Sequence, residues 1–185
     1  PGLRIVLREV DHDAIARETA RRVPCHVHWR EEFLPIPEEG LFAVVLDDDS
    51  EEERSYPFLR ALSRSRRRMR THVLTRRTAA AEGAGEILKR VADARCLIVA
   101  VYASVAAWKG RAGLSPGPKG LLARLAVAAP GVVLTAFGSP YVLKGLGRRA
   151  DRVLAYDDSL HVQEAAAAAL AGVIPFRGRL VATVD

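Results

Sequence analysis

Four places along this chain hold residues whose types could do chemistry. Asp47-Asp48-Asp49 follow an apolar run, and carboxylates in a row are oxygen donors that could hold Mg²⁺. Consecutive residues of an extended segment point to alternate sides, so no more than two could face one ion. An acidic loop capping the next helix accounts for them better. Ser139, in "FGSPY" (137–141), has His161 twenty-two residues further on, the types a hydrolytic nucleophile and its base would need. The turn is not G-x-S-x-G, however, and Pro140 stands where that motif requires a free N–H for the oxyanion hole. Pro140 reads better as the first residue of a helix "PYVLKGL", with Ser139 as its N-cap. His26 and His28 fall on one face of a short strand, half of a metal site with no third ligand at a recognisable spacing. "GRAGLSPGPKG" (110–120) has glycines and Lys119 but not the spacing of a phosphate loop. No metal or cofactor is expected.

Charge and composition narrow the classes. Basic residues cluster in "SRSRRRMRTHVLTRR" (63–77), and the formal net charge is +6. Such a patch could meet nucleic acid or phosphate; a solvated helix end, where cations suit the macrodipole, is the alternative. Only four of the 28 basic residues are lysines, aromatics are 6%, and no RRM, zinc-finger or heptad pattern is present, which speaks against a nucleic-acid partner. Cys25 and Cys96 fit neither a metal spacing nor a disulfide framework and read as buried thiols. The opening "PGLRIVLREVDHD" is charged throughout and lacks a signal-peptide apolar core, and no long uncharged apolar run could span a membrane. A cytoplasmic location is favoured on that ground.

The elements that must position these groups alternate in type. Helices are expected at 11–23 (capped by Asp11 or Asp13), 50–64 (with a Ser50-x-x-Glu53 capping box and Pro57 inside), 78–93, 115–129 and 159–172, the last with Gly172 just past its end. Strands are expected at 25–29, 41–47, 71–75, 96–102, 132–137, 152–156 and 179–184, the first and last of them at edges; 3–10 could be strand or helix. "EEFLPIPEEG" (31–40) is a loop because its prolines preclude regular structure. Strand and helix alternating at this spacing predict one α/β domain over 1–185, a three-layer sandwich with a mostly parallel sheet and helices on both faces. Ligands of such sheets sit beyond the carboxyl ends of the strands. Asp47–Asp49, Thr75–Arg77, Tyr102–Ser104 and Phe137–Tyr141 are expected there.

From Ala94 onward the chain resembles the C-terminal α/β-sandwich domain of family 3 glycoside hydrolases, in the β-N-acetylhexosaminidase branch. The resemblance is carried by "CLIVAVYASVAAWKGRAGLSP" (96–116), "VVLTAFGSPYVLKGL" (132–146) and "DRVLAYDDSLHVQEAAAAALAGVIPFRGRLVATV" (151–184). In the first half, "AIARETARRVPCHVHWREEFLPIPEEGLFAVVLDDD" is similar to the family's entry into this domain, with "PCHVHW" replacing the usual strand text.

The resemblance implies that Gly138, Ser139, Pro140 and Tyr141 form a structural turn rather than a nucleophile elbow. It also implies a missing partner: the family's catalytic aspartate lies on a (β/α)₈ barrel, for which this chain has no room. The hexosaminidase branch takes its acid/base histidine from a barrel loop of K-H-F-P-G-H-G type, and no such run occurs here. The glucosidase branch takes a glutamate from the second domain, yet residues 103–158 contain none. The implied role is an accessory, non-catalytic domain that packs on a barrel and helps wall a site for an N-acetylglucosamine-containing glycan. Tyr102, Ser104, Trp108, Lys109 and Arg111, in the loop after strand 96–102, are the expected sugar contacts, through ring stacking and charged hydrogen bonds. Two other readings stand beside it: a free-standing binding module derived from that domain, and a hydrolase using Ser139 and His161.

Overall fold

Residues that are apolar without interruption can be buried on both faces only in the middle of a layered structure, and that is where the two longest apolar runs lie. The computed structural model describes residues 11–27, 33–79, 83–103, 113–146 and 150–181. In chain order the elements are α1 (His12–Ala20), β1 (Cys25–Val27), β2 (Leu41–Asp47), α2 (Tyr56–Ser65), β3 (Arg70–Thr75), α3 (Arg76–Ala79), α4 (Ala84–Val91), β4 (Cys96–Ala103), α5 (Pro116–Leu125), β5 (Gly131–Gly138), a 3₁₀ turn (Pro140–Leu143), β6 (Asp151–Leu154) and α6 (Leu160–Leu170). The six strands form one sheet in the order β1-β6-β5-β4-β2-β3. All neighbours are parallel except the antiparallel pair β1–β6.

Alternate residues of each strand feed two cores. Phe42, Val44 and Leu46 of β2 and Leu97, Val99 and Val101 of β4 face α4 and α5, where Ile87, Val91, Leu122 and Leu125 cover them. Leu41, Ala43 and Val45 and Ile98, Ala100 and Tyr102 face the other way, onto Phe58 and Leu62 of α2 and the alanines of α6. This is the three-layer sandwich expected from the alternation.

Local rules explain most boundaries. The Asp11 carboxylate accepts from the Ala14 N–H, so Asp11 is the N-cap of α1. Gly172, at φ +75°, ends α6 in a Schellman motif, with Val173 N–H donating to Ala168 and Gly172 N–H to Ala169. A Cβ there would also lie 2.8 Å from Pro35 Cβ.

Elsewhere the boundaries differ. α2 starts at Tyr56, not at Ser50, because Pro57 fits only a first turn, and Ser50 and Glu53 form no capping box. Ser50 instead donates its N–H to Asp47. The 78–93 stretch is broken: α3 covers only its first residues, and α4 begins after Gly83. The segment after Ser139 is a 3₁₀ turn whose N-cap residue makes no side-chain cap bond. Residues 179–181 join no strand; 3–10, 28–29 and 182–184 lie outside the described residues.

Candidate functional site

The chain runs from β2 outward to β3 and then returns to the other side of β2 to lay down β4. The strand order therefore reverses between β2 and β4, and the crevice at their carboxyl ends is where open α/β sheets bind ligands. Asp47 and Tyr102 are register partners at this point.

Asp47 and Asp48 leave the end of β2 on opposite faces, as adjacent residues of a strand must. Asp47, nearly fully buried, receives both arms of Arg54, Nε at 2.9 Å and Nη2 at 2.8 Å, together with the N–H groups of Asp49 and Ser50. The third guanidinium nitrogen donates to Asp158 at 2.7 Å. The hydrogen bonds to Asp47 raise the Arg54 pKa further, with burial opposing them. A carboxylate holding four donors is a poor metal ligand, its lone pairs already taken. Tyr156, at φ +59°, sits in the left-handed region, a strained conformation for a bulky residue, two residues before Asp158.

Beneath this ion cluster lies a buried amide relay. The Tyr102 hydroxyl donates to Gln163 Oε1 at 2.8 Å, and the Phe58 N–H donates to the same oxygen. Gln163 Nε2 donates to the carbonyls of Arg54 and Asp158. Gln163 thus satisfies groups from β4, α2 and two loops. Tyr102 is fully buried, stacked on Phe137 with ring centroids 4.6 Å apart, and burial pushes its phenol pKa strongly upward.

On the other face Asp48 accepts from both the N–H and the hydroxyl of Ser115, holding the first turn of α5. The expected acidic loop capping the next helix is corrected: α2 is N-capped at Ser55 with no side-chain cap bond, while Asp47 is taken by Arg54 and Asp48 by Ser115 before α5. Beside Asp48 a cavity of about 160 Å³ is lined mostly by Leu46, Leu74, Ile87, Pro118 and Leu121. Among the described residues no group of three or more His, Cys, Asp or Glu side chains could hold a metal ion.

The remaining candidates are dispersed. Ser139 is buried and its hydroxyl has no hydrogen-bond partner among the described residues. His161 Nε2 bonds instead to Asp13 at 2.8 Å, tying α6 to α1, so the serine and the histidine do not form a nucleophile–base pair. Gly138 has φ +92°, and the Ser139 N–H donates to the Ala103 carbonyl at 2.7 Å. Pro140 opens the 3₁₀ turn and Tyr141 is exposed beside it. His26 contacts the buried Asp151 at 3.2 Å and the Phe176 ring; His28 lies outside the described residues.

Of the expected sugar contacts, Tyr102 is corrected: both its ring and its hydroxyl are committed inside the core, so it offers no stacking face. Ser104, Trp108, Lys109 and Arg111 lie outside the described residues. The sequence reading missed Arg54, Asp158 and Gln163. Two signals pointed to them: a lone arginine closing the acidic run "DDDSEEER", and a single amide in an alanine-rich helix.

The fold defines a class first: a doubly wound α/β sandwich with one antiparallel edge strand. No protein-family model and no curated protein matches the chain. Solved structures do. A fungal multi-domain GH3 β-N-acetylglucosaminidase with a GCN5-related glucosamine N-acetyltransferase region superposes on 91% of the chain with a TM-score of 0.71 and 19% identity. A glycoside hydrolase family 3 β-N-acetylglucosaminidase from Paenibacillus sp. str. FPU-7 covers all of it, with a TM-score of 0.67 and 16% identity. A β-glucoside phosphorylase, BglX, covers 91% with a TM-score of 0.68 and 16% identity. The chain spans only 19%, 36% and 31% of those proteins, respectively. It has the fold of one portion of these larger enzymes.

Proposed function

We propose that this chain serves as an accessory, non-catalytic domain of a β-N-acetylhexosaminidase-like glycoside hydrolase. It packs on a (β/α)₈ barrel that supplies the chemistry and helps wall a site for an N-acetylglucosamine-containing glycan. The observation that carries this reading is the superposition of the entire chain on about a third of the Paenibacillus enzyme. The side chains agree with it: at the carboxyl ends of β2 and β4 the buried acids are occupied by Arg54 and Ser115. Retaining glycoside hydrolysis needs two carboxyl groups, or their equivalents, free to face a sugar.

The native mass of the protein in its source cells tests the reading. A species larger than this 20.1 kDa chain by roughly 250 residues or more, cleaving a chromogenic N-acetylglucosaminide that the isolated chain leaves intact, is the expected result. A native species of about the chain's own mass would overturn it in favour of the free-standing binding module. Within the proposal, Ser104, Trp108, Lys109 and Arg111 contact the glycan. Trp108→Ala is expected to weaken chitooligosaccharide binding about tenfold in calorimetry, on the scale of one lost stacking contact, while leaving the melting temperature within a degree or two. Unchanged affinity beside a large loss of stability would make Trp108 a packing residue.

A further inference from the structure

The basic stretch 60–77 divides into arginines with partners and arginines without. Arg66 donates to the carbonyls of Ile36, Pro37, Ser65 and Ala171, closing the ends of α2 and α6. Arg68 pairs with Glu39, Arg70 with Asp93 and Arg76 with Glu51. Arg60, Arg64, Arg67 and, beyond β3, Arg77 are exposed and have no hydrogen bond or ion pair among the described residues, and the first three lie in or just after α2.

Arg60 and Arg64 share one face of α2, and Arg67 follows in the chain just after that helix ends. α2 buries Phe58 and Leu62. Its opposite face presents Tyr56, Arg60 and Arg64 at four-residue intervals, about 6 Å apart along the axis, and Arg67 follows just past the C-cap Arg66. Tyr56 is 62% exposed, the sole large hydrophobic of α2 in that state. Unpaired guanidinium groups match phosphate oxygens bidentately. A tyrosine ring in line with them supplies the other half of a surface for single strands, on which bases stack.

We propose that this face of α2 binds single-stranded nucleic acid, its arginines taking separate phosphates and Tyr56 stacking on a base. The absence of a known nucleic-acid motif does not bear on it, because one helix face suffices for sequence-independent binding. Glu51, Glu52 and Glu53, just before α2, limit the track at its tyrosine end, so the strand runs from Tyr56 toward Arg67. A membrane surface is disfavoured because the face carries no exposed aliphatic side chain to insert.

Fluorescence anisotropy of a labelled oligothymidylate, titrated with the protein over a series of NaCl concentrations, tests the proposal. Three phosphate contacts predict a slope of log K against log salt of about −2. Arg60→Gln, Arg64→Gln and Arg67→Gln combined should weaken binding at least about tenfold and flatten that slope. The same three positions changed to lysine should keep the slope. Tyr56→Ala should weaken binding at an unchanged slope, and Arg68→Gln, whose arginine already has Glu39, should have little effect. All five substituted positions are exposed, and circular dichroism melts check that each variant folds. The proposal is overturned if the wild type fails to bind at low salt or if the glutamine triple binds like it. It is equally overturned if anionic phospholipid vesicles or polyglutamate compete better than oligonucleotide at matched charge.

Discussion

Arg54 turns a buried carboxylate from a liability into a structural pin. Asp47 is out of solvent, and an ionised carboxylate in that position needs a partner and hydrogen bonds. Arg54→Met keeps the length of the side chain and removes the charge, leaving Asp47 with backbone donors only. We expect a loss of about 2–3 kcal/mol in urea unfolding at neutral pH, below the range for fully buried pairs because Arg54 is partly exposed. Asp158→Asn, acting on the more exposed partner, should cost well under half of that.

Burial also decides how single groups respond to base. The Cys96 thiol is pushed up to about 12 from 9.0, chiefly by burial and then by the nearby Asp151 charge, and Tyr102 is raised as well. In the unfolded chain the thiol ionises near its ordinary value, while the folded state keeps its proton. Above about pH 9 the native state therefore binds more protons than the unfolded one, and stability falls with rising pH. The contribution is whole below pH 9 and is lost on the way to pH 12, on the order of 1–2 kcal/mol by about pH 10.5. Cys96→Ala should flatten that decline in chemical unfolding measured at several alkaline pH values; an unchanged slope would mean that the thiol takes no part.

At the scale of elements, α6 and α2 are joined by one side chain more than by any other polar contact. Among the described residues, Gln163 is the link that satisfies Tyr102, the first turn of α2 and the two loop carbonyls together. Gln163→Leu fills the space but strands those groups, and about 2–4 kcal/mol of destabilisation is expected, at 1–3 kcal/mol for each seriously unsatisfied group. Tyr102→Phe combined with Gln163→Leu should recover part of the loss in a double-mutant cycle. Full additivity would show that the hydroxyl and the amide are not coupled.

The strands were legible because periodicity and β-branching are local: 41–47, 96–102 and 132–137 matched to within a residue. α2 was misread because a capping-box pattern and a proline competed, and the proline's missing N–H outranks the box. The 3₁₀ turn after Ser139 and the unpaired stretch 179–181 escaped for another reason: short segments take their form from what they pack on. Arg54 and Gln163 were missed because their partners stand as far as 109 residues away in sequence. Tyr102 was placed at the strand end correctly and assigned the wrong role, since nothing local tells whether a terminal aromatic turns inward.

For the molecule as a whole, the sheet has two margins, and they are defended differently. At β3, Arg70 and Thr71 are exposed on the outer strand, and charge at a sheet margin discourages another strand from adding. At β1 the protection is mechanical. The chain after α6 turns back so that Phe176 packs on His26 and the Gly178 N–H bonds to the Pro24 carbonyl at 3.0 Å. No side chain fits at that crossing, because a Cβ on Gly178 would lie 2.3 Å from the Val23 carbonyl oxygen. Gly178→Val should lever this segment away, bare the backbone of β1 and convert the protein into one that self-associates as its concentration rises, as dynamic light scattering would register. Gly178 thus acts as a safeguard against aggregation, closing a margin whose described strand, Cys25–Val27, carries no lysine, arginine or acid.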